Sequence, residues 1–208
     1  MKRYASVMLA ILLVVGMGTM NIADAYTLTF QADFWATGNP SNNYAKGGPG
    51  DLGGTFTILT GEKINVDIYF STDLALVAAS WDLKYSPAAL ASVNGASAPS
   101  SPWVLPLFEP SAFPDSSGSL KFQAAVFPGS TVSGNNIFFG SILFECKGVG
   151  DVNLVLGNYL GFLTATDTIG IGNNPIGTIK QVVPIPGAVW LLGSGLIGLV
   201  GLSRKWRK

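Results

Sequence analysis

The sequence contains no histidine and only one cysteine among its 208 residues. Histidine is the commonest general base and the commonest protein ligand of metal ions, so its absence excludes Ser-His-Asp and Cys-His catalytic sites. Pairs of Asp and Glu can also catalyse hydrolysis, but the spacing of the acidic residues singles out no pair. We therefore predict that the protein is not an enzyme, with a carboxylate-based hydrolase as the less favoured alternative.

The single cysteine, Cys146, follows Ile142, Leu143 and Phe144 in a short apolar segment. A cysteine in such a segment usually behaves as a small buried side chain, which is the interpretation that we favour. The alternative is an intermolecular disulfide in an oxidising compartment.

Charge is also scarce, because only 12% of the residues are charged. Between Tyr26 and Val183 there are six lysines and eleven acidic residues, which gives this part of the chain a net charge of −5. A nucleic-acid-binding protein normally carries a basic patch, so this acidic balance excludes nucleic acid as a predicted partner.

The first 25 residues have the three parts of a secretory signal peptide. Lys2 and Arg3 precede an apolar stretch at 7–15, and Ala23 and Ala25 form a small-x-small cleavage site. This order predicts export of the protein and cleavage by signal peptidase after Ala25.

The last 25 residues place a proline motif, an apolar run and a basic end in that order. Residues 185–202 carry no charge, and a helix of that length reaches about 27 Å, enough for one transmembrane helix through a thin hydrocarbon core. Basic residues directly after an apolar run indicate the cytoplasmic side of a membrane. The basic residues here are Arg204, Lys205, Arg207 and Lys208.

This tail resembles the PEP-CTERM sorting signal in its V-P-x-P-x variant. The motif consists of Val183, Pro184, Ile185, Pro186 and Gly187, with Ile185 where the name-giving motif has glutamate. The resemblance implies a substrate of exosortase, a membrane-embedded transpeptidase of exopolysaccharide-producing Gram-negative bacteria. It also implies transient anchoring in the inner membrane, cleavage near the prolines, and delivery to the cell surface or extracellular matrix. The alternative is an ordinary tail anchor that is never cut.

Between the two ends, apolar residues alternate with polar residues, which is typical of half-buried strands. Turns rich in Gly, Asn and Ser separate these segments, and 96–114 is predicted to be a long loop. We predict an all-β fold, an antiparallel β-sandwich of the jelly-roll kind with eight or nine strands. The strand candidates are 27–31, 55–59, 63–70, 79–85, 120–126, 138–146, 152–156 and 159–165.

Two segments of the body are similar to a cohesin-type domain. Residues 61–90 resemble its opening, in which an alternating strand is followed by a strand with an aromatic end and a Ser-Pro-x-x-Leu turn. Residues 140–156 look like the late pair of strands. The resemblance implies a cohesin-like sandwich, and such sandwiches can bind a dockerin partner, although no residue pattern here identifies a dockerin surface.

Loop-like segments suggest two further hypotheses about ligands. Trp35, Tyr44 and Trp103 lie in such segments, and exposed aromatic rings can stack on sugars, so these residues are candidate sugar contacts. The segment 33–51 and the stretch Asp151–Asn153 offer oxygen atoms that suit calcium, although no spaced calcium motif is present. No other metal or cofactor is predicted.

These observations divide the chain into four parts. They are a signal peptide at 1–25, a β-sandwich domain at 26–172, a linker at 173–183, and a C-terminal sorting signal at 184–208. The predicted function is that of an exported surface or matrix protein that acts by binding or structural association, with exopolysaccharide as a candidate partner. The alternatives are a carbohydrate-binding module and a cohesin-like protein-binding domain.

Overall fold

The computed structural model describes residues 26–36, 46–48, 54–99, 101–183, 189 and 192–197. Residues 28–182 form ten strands and one short 3-10 turn, Ala88–Leu90, so the prediction of an all-β body is confirmed, and 189 and 192–197 are helical. The strands are β1 Leu28–Trp35, β2 Gly54–Leu59, β3 Lys63–Ser86, β4 Ala91–Ser97, β5 Val104–Glu109, β6 Ser119–Ala125, β7 Val132–Cys146, β8 Gly150–Thr164, β9 Thr168–Ile169 and β10 Asn174–Val182.

Strand β3, 24 residues long, contributes to both layers of the fold. Its first half pairs with β1 and β7, and β4 pairs with β7, which gives a first layer in the order β1-β3-β7-β4. Its second half pairs with β6 and β8 in a second layer ordered β2-β10-β8-β3-β6-β5. The pairing of β3 with β7 shifts register between Ile68 and Leu76, and such irregularities bend a strand from one layer into the other.

Aromatic rings from the two layers pack against one another in a common core. The ring centroid of Phe139 in the first layer lies 5.5 Å from that of Phe122 and 5.5 Å from that of Phe162, both in the second layer. Phe70 and Trp81 join this cluster, and all five residues are fully buried. Because the inward side chains of both layers fill one core, the predicted β-sandwich is confirmed.

The predicted loop at 96–114 contains a strand, so that prediction was wrong for 104–109. Strand β5 carries Pro106, which makes its sequence look unlike a strand. The strand lies at the edge of the second layer, and its pairing with β6 shifts register between Val104 and Leu107. Edge strands and bulges tolerate a proline because the missing N–H is not needed there.

The predicted linker at 173–183 is also corrected by the structure. Strand β10 occupies most of it, pairing antiparallel with β8 and parallel with β2, so the sheet is not wholly antiparallel. Ile176 and Ile179 of this strand are fully buried, and the sandwich therefore extends to Val182. Gly177 interrupts the alternation of apolar and polar residues by which a strand is recognised in the sequence. Glycine is needed there because a Cβ would lie 2.6 Å from the Phe34 ring.

Candidate functional site

Two carboxylates occupy facing positions on the outer face of the first layer. Asp33 on β1 lies directly opposite Asp67 on β3, and only 1% and 0% of these residues is exposed. Their chain neighbours Phe34 and Val66 are buried in the core, so strand alternation directs both acids outward. Like charges on facing positions repel each other, and buried acids need a partner. Hydrogen-bond donors or a nearby cation reduce this repulsion.

Lys46, from the segment between β1 and β2, supplies a cation. Its Nζ lies 2.6 Å from Asp67 Oδ2, 5.0 Å from the centroid of the Trp35 ring and 5.9 Å from that of Phe138. Hydrogen bonding to Asp67 raises the pKa of Lys46, although desolvation opposes this. Because 53% of the lysine side chain is exposed, the ammonium covers the acid pair from the solvent side.

Backbone groups fasten the same segment to the other acid. Asp33 accepts hydrogen bonds from the N–H groups of Gly47 at 3.4 Å and Gly48 at 2.8 Å. Gly48 has a φ of +94°, a conformation that side-chain-bearing residues rarely adopt, so this turn requires glycine. We call the following residues the Lys46 cluster: Gln31, Asp33, Trp35, Lys46, Asp67, Tyr69 and Phe138.

The Lys46 cluster retains polar atoms that are buried and unsatisfied. Gln31 Oε1, Trp35 Nε1 and Asp67 Oδ1 are inaccessible to solvent and have no hydrogen-bond partner in the described part of the chain. Burial also raises the pKa of Tyr69, with a further contribution from the charge of Asp67. Each buried polar group without a hydrogen bond lowers the stability of the fold by about 1–3 kcal/mol. The Lys46 cluster is therefore less stable than a cluster in which every polar atom has a partner.

The outer face of the second layer is built differently. Leu107 on β5 is 46% exposed, and Phe127, which follows β6, is 66% exposed. Two residues along β5 from Leu107, Glu109 begins a row in which Glu109, Lys121 and Asp82 lie opposite one another on β5, β6 and β3. We call this surface the second-layer face. It combines exposed apolar groups with a row of alternating charges.

Two shallow grooves lie on the first layer and its edge. One has a volume of about 390 Å³ and is lined mainly by hydroxyl and polar groups, including Thr27, Ser71, Asp73 and Asn135. The other, of about 260 Å³, lies next to the Lys46 cluster on the outer face, where Asn65 separates it from Trp35. Both are open enough to contact a ligand and neither contains a catalytic pair.

The predicted sugar contacts do not form one surface. Trp103 is fully buried, with its Nε1 donating to the Phe138 carbonyl at 3.1 Å and its ring 5.2 Å from that of Phe139. The prediction that Trp103 contacts a sugar was therefore wrong, because a loop aromatic has folded into the core. Trp35 is half-buried in the Lys46 cluster. Tyr44 lies outside the described residues.

The terminal signals fall almost entirely outside the described residues and stay predictions. This applies to Ala23 and Ala25, to the motif residues Pro184, Ile185, Pro186 and Gly187, and to Arg204, Lys205, Arg207 and Lys208. Val183 is described and is 57% exposed. Within the described ranges, no helix is both long and apolar enough to cross a membrane.

Cys146 is buried, as the favoured interpretation predicted, with 1% of the residue exposed. Burial, followed by the charges of Glu62 and Glu145, raises the pKa of its thiol to about 12. A buried thiol of this kind cannot reach a second chain, so the alternative of an intermolecular disulfide is contradicted in the folded protein.

The two segments proposed for calcium differ in the structure. Asp33 joins Asp67 in the Lys46 cluster, whereas Asp151 is exposed and lies opposite Lys180, and Asn153 accepts a hydrogen bond from Thr178. No group of three or more Cys, Asp or Glu side chains converges within the described residues. Any calcium site here must use other oxygen atoms as well.

Comparisons with known proteins identify no family for this chain. No family model matches it, and no curated protein matches it. Among solved structures, a type I cohesin of Pseudobacteroides cellulosolvens is 18% identical, covers 65% of this chain and 92% of its own, and has a TM-score of 0.45. The third ScaC cohesin of Acetivibrio cellulolyticus, solved in complex with the ScaB dockerin, is 19% identical. The match covers 64% of this chain and 97% of the cohesin, with a TM-score of 0.48. A cohesin module from a family 33 glycoside hydrolase of Clostridium perfringens is 12% identical. The match covers 64% of this chain and 93% of the module, with a TM-score of 0.49.

The Lys46 cluster was missed by the sequence analysis. Asp67 alternates with apolar residues on β3 and therefore looked solvent-exposed, and Lys46 stands in a glycine-rich segment with no pattern of its own. Only the register of β1 against β3 brings Asp33 and Asp67 together. Asp67 lay on the polar side of the strand candidate 63–70, but Asp33 lay beyond the candidate 27–31 in the oxygen-rich segment 33–51, so no sequence signal specified their pairing.

Proposed function

We propose that this chain is an exported, non-catalytic binding module of the cell surface or extracellular matrix that engages a protein partner through its second-layer face. The observation that carries the proposal is the exposure of Leu107 beside the row of charges on that face, together with the exposure of Phe127 after β6. Exposed apolar groups with a polar rim are typical of interaction surfaces. The alternating charges would orient the partner more than they would strengthen its binding.

A protein partner is favoured over a sugar because of where the aromatic residues lie. Sugar binding by stacking needs an open ring, but Trp103 is buried and the Trp35 ring is covered by the Lys46 ammonium. Phe127 is 66% exposed in the turn that follows β6, and Leu107 is 46% exposed on the edge strand β5. This arrangement supports contact with an apolar protein surface.

The proposal is tested with the full chain and candidate partners from the same host, starting with purified dockerin-bearing proteins. The Acetivibrio cellulolyticus cohesin was solved with such a partner, which is the reason to test this class first. Binding should fall at least tenfold in the double variant Leu107→Asp, Phe127→Asp. Val149→Asp is the matched control, because Val149 is 58% exposed on the hairpin between β7 and β8. Equal losses in both variants would overturn the assignment of the face.

Exopolysaccharide is a second candidate partner, supported by the groove of about 390 Å³. Its lining of hydroxyl groups and the Asp73 carboxylate suits a ligand rich in hydroxyls. Retention of the chain on purified matrix polysaccharide should then weaken in Ser71→Ala and Asp73→Asn. Unchanged retention in both variants would remove this candidate.

We also infer that residues 1–25 direct export and that 184–208 act as a sorting tail read by an exosortase-like enzyme in a Gram-negative host. Support comes from the order of the signal parts in the sequence. Intact mass of the protein from its host should begin at Tyr26 and end near Pro184–Pro186, and only when the sorting machinery is present. A mass that retains Arg204–Lys208 would make the protein a tail-anchored one instead.

A further inference from the structure

We propose that Gln31, Asp33 and Asp67 form a calcium site on the outer face of the first layer, in which the Lys46 ammonium takes the place of the metal when calcium is absent. The first observation is charge. Two buried carboxylates face each other, and among the described residues Lys46 is paired with Asp67 while Asp33 is stabilised only by the N–H groups of Gly47 and Gly48, which leaves the ionised pair with a net charge of −1. Buried charges without full compensation are costly, so a cation of higher charge would stabilise this arrangement.

The second observation is the set of unsatisfied oxygen atoms. Asp67 is fully buried, and its Oδ1 accepts no hydrogen bond in the described part of the chain. Gln31 Oε1, two residues from Asp33 on the same side of β1, is also buried and has no hydrogen-bond partner among the described residues. Carboxylate and amide oxygens are the ligands that calcium prefers, and calcium accepts their irregular arrangement together with water molecules.

Burial of these atoms decides the kind of ligand. Gln31 Oε1 and both carboxylate oxygens of Asp67 are inaccessible to solvent, so an amine carried by a polymer cannot reach them. A metal ion can reach them when the Lys46 side chain, already 53% exposed, moves its ammonium into water. The two states then differ in one exchange, Ca²⁺ for the ammonium, and calcium neutralises the acid pair completely.

The test is a calcium titration of the full chain by calorimetry, with Tm measured in parallel. Calcium should bind with a Kd of about 10⁻⁴–10⁻³ M, a range typical of extracellular modules, and should raise the Tm. Lys46→Met removes the competing ammonium and should tighten binding about tenfold. Gln31→Glu adds a negative oxygen ligand and should also tighten it, whereas Gln31→Leu should weaken it without touching either acid.

Asp67→Asn should abolish the calcium-induced rise in Tm. Asp151→Asn is the matched control in the other oxygen-rich segment, and it should leave calcium binding unchanged. The Gln31 variants keep the test decisive if Asp67→Asn fails to fold. No calcium binding up to 10 mM (about tenfold above the expected range) by the natural chain and by Lys46→Met would overturn the proposal. Binding that is lost in Asp151→Asn, or that sodium at equal concentration reproduces, would overturn it as well.

Discussion

Replacing Trp103 by alanine should destabilise the fold instead of removing a ligand contact. The residue is fully buried, its ring packs against Phe70 and Phe139, and its indole N–H satisfies the Phe138 carbonyl. Truncating such a side chain costs about 3–5 kcal/mol, and leaving a buried carbonyl without its donor costs about 1–3 kcal/mol more. We therefore expect the free energy of unfolding to fall by at least about 4 kcal/mol. For a domain of this size that corresponds to a Tm lower by at least about 8 °C.

The assay is urea unfolding of the full chain followed by tryptophan fluorescence, with a thermal scan. Trp103→Phe keeps a ring against Phe139 but loses the hydrogen bond, so it should cost only about 1–2 kcal/mol. Trp35→Ala, at a half-buried position, should cost less than Trp103→Ala. A Trp103→Ala variant with an unchanged Tm and a lost ligand would refute the reasoning, because it would show that this ring serves a binding surface and not the core.

Three further predictions concern packing and ionisation. Gly140→Ala should cost about 1–3 kcal/mol of unfolding free energy in urea, since a Cβ there would lie 2.6 Å from the Ser97 carbonyl oxygen; Gly95→Ala, with nothing within 4 Å, should cost much less. Cys146, with a thiol pKa of about 12, should react with thiol reagents at pH 8 only after unfolding, and rapid labelling of the folded chain would contradict its burial. Burial raises the pKa of Tyr85 from 10 to about 12, so the stability it contributes should be present below pH 10 and lost between pH 10 and 12. Tyr85→Phe should flatten that pH dependence, and an unchanged slope would exclude Tyr85 as its source.

The fold could be predicted from the sequence where apolar residues alternate with polar residues along a whole strand. Ile64, Val66, Ile68 and Phe70 are all fully buried, as their spacing indicates. Prediction failed where a strand is stabilised by its position in the sheet. Strand β5 contains Pro106, and β10 begins in a turn-like Asn-Pro sequence, so neither has a local pattern strong enough to identify it.

The candidate surfaces were harder to predict because each depends on pairing between distant residues. Asp33 and Asp67 become one feature only through the register of β1 and β3, which depends on the whole first layer. Trp103 illustrates the opposite case, since its loop-like surroundings suggested exposure while its size and its N–H group suited a buried position beside a free carbonyl. Local composition therefore indicated which residues were chemically able to bind, but not which of them remained accessible.

The two outer faces impose different requirements on a ligand, and this separates the two proposals experimentally. On the first layer, Lys46 and the N–H groups of Gly47 and Gly48 cover the acid pair, so only a small ion can exchange there. On the second layer, Leu107 and Phe127 are open to solvent and can meet a large surface. The faces belong to opposite sides of one packed core, so calcium should raise the Tm without changing partner affinity more than about twofold. Loss of partner binding in Gln31→Leu, in a chain that remains folded, would show instead that the partner contacts the first layer and that the second-layer assignment is wrong.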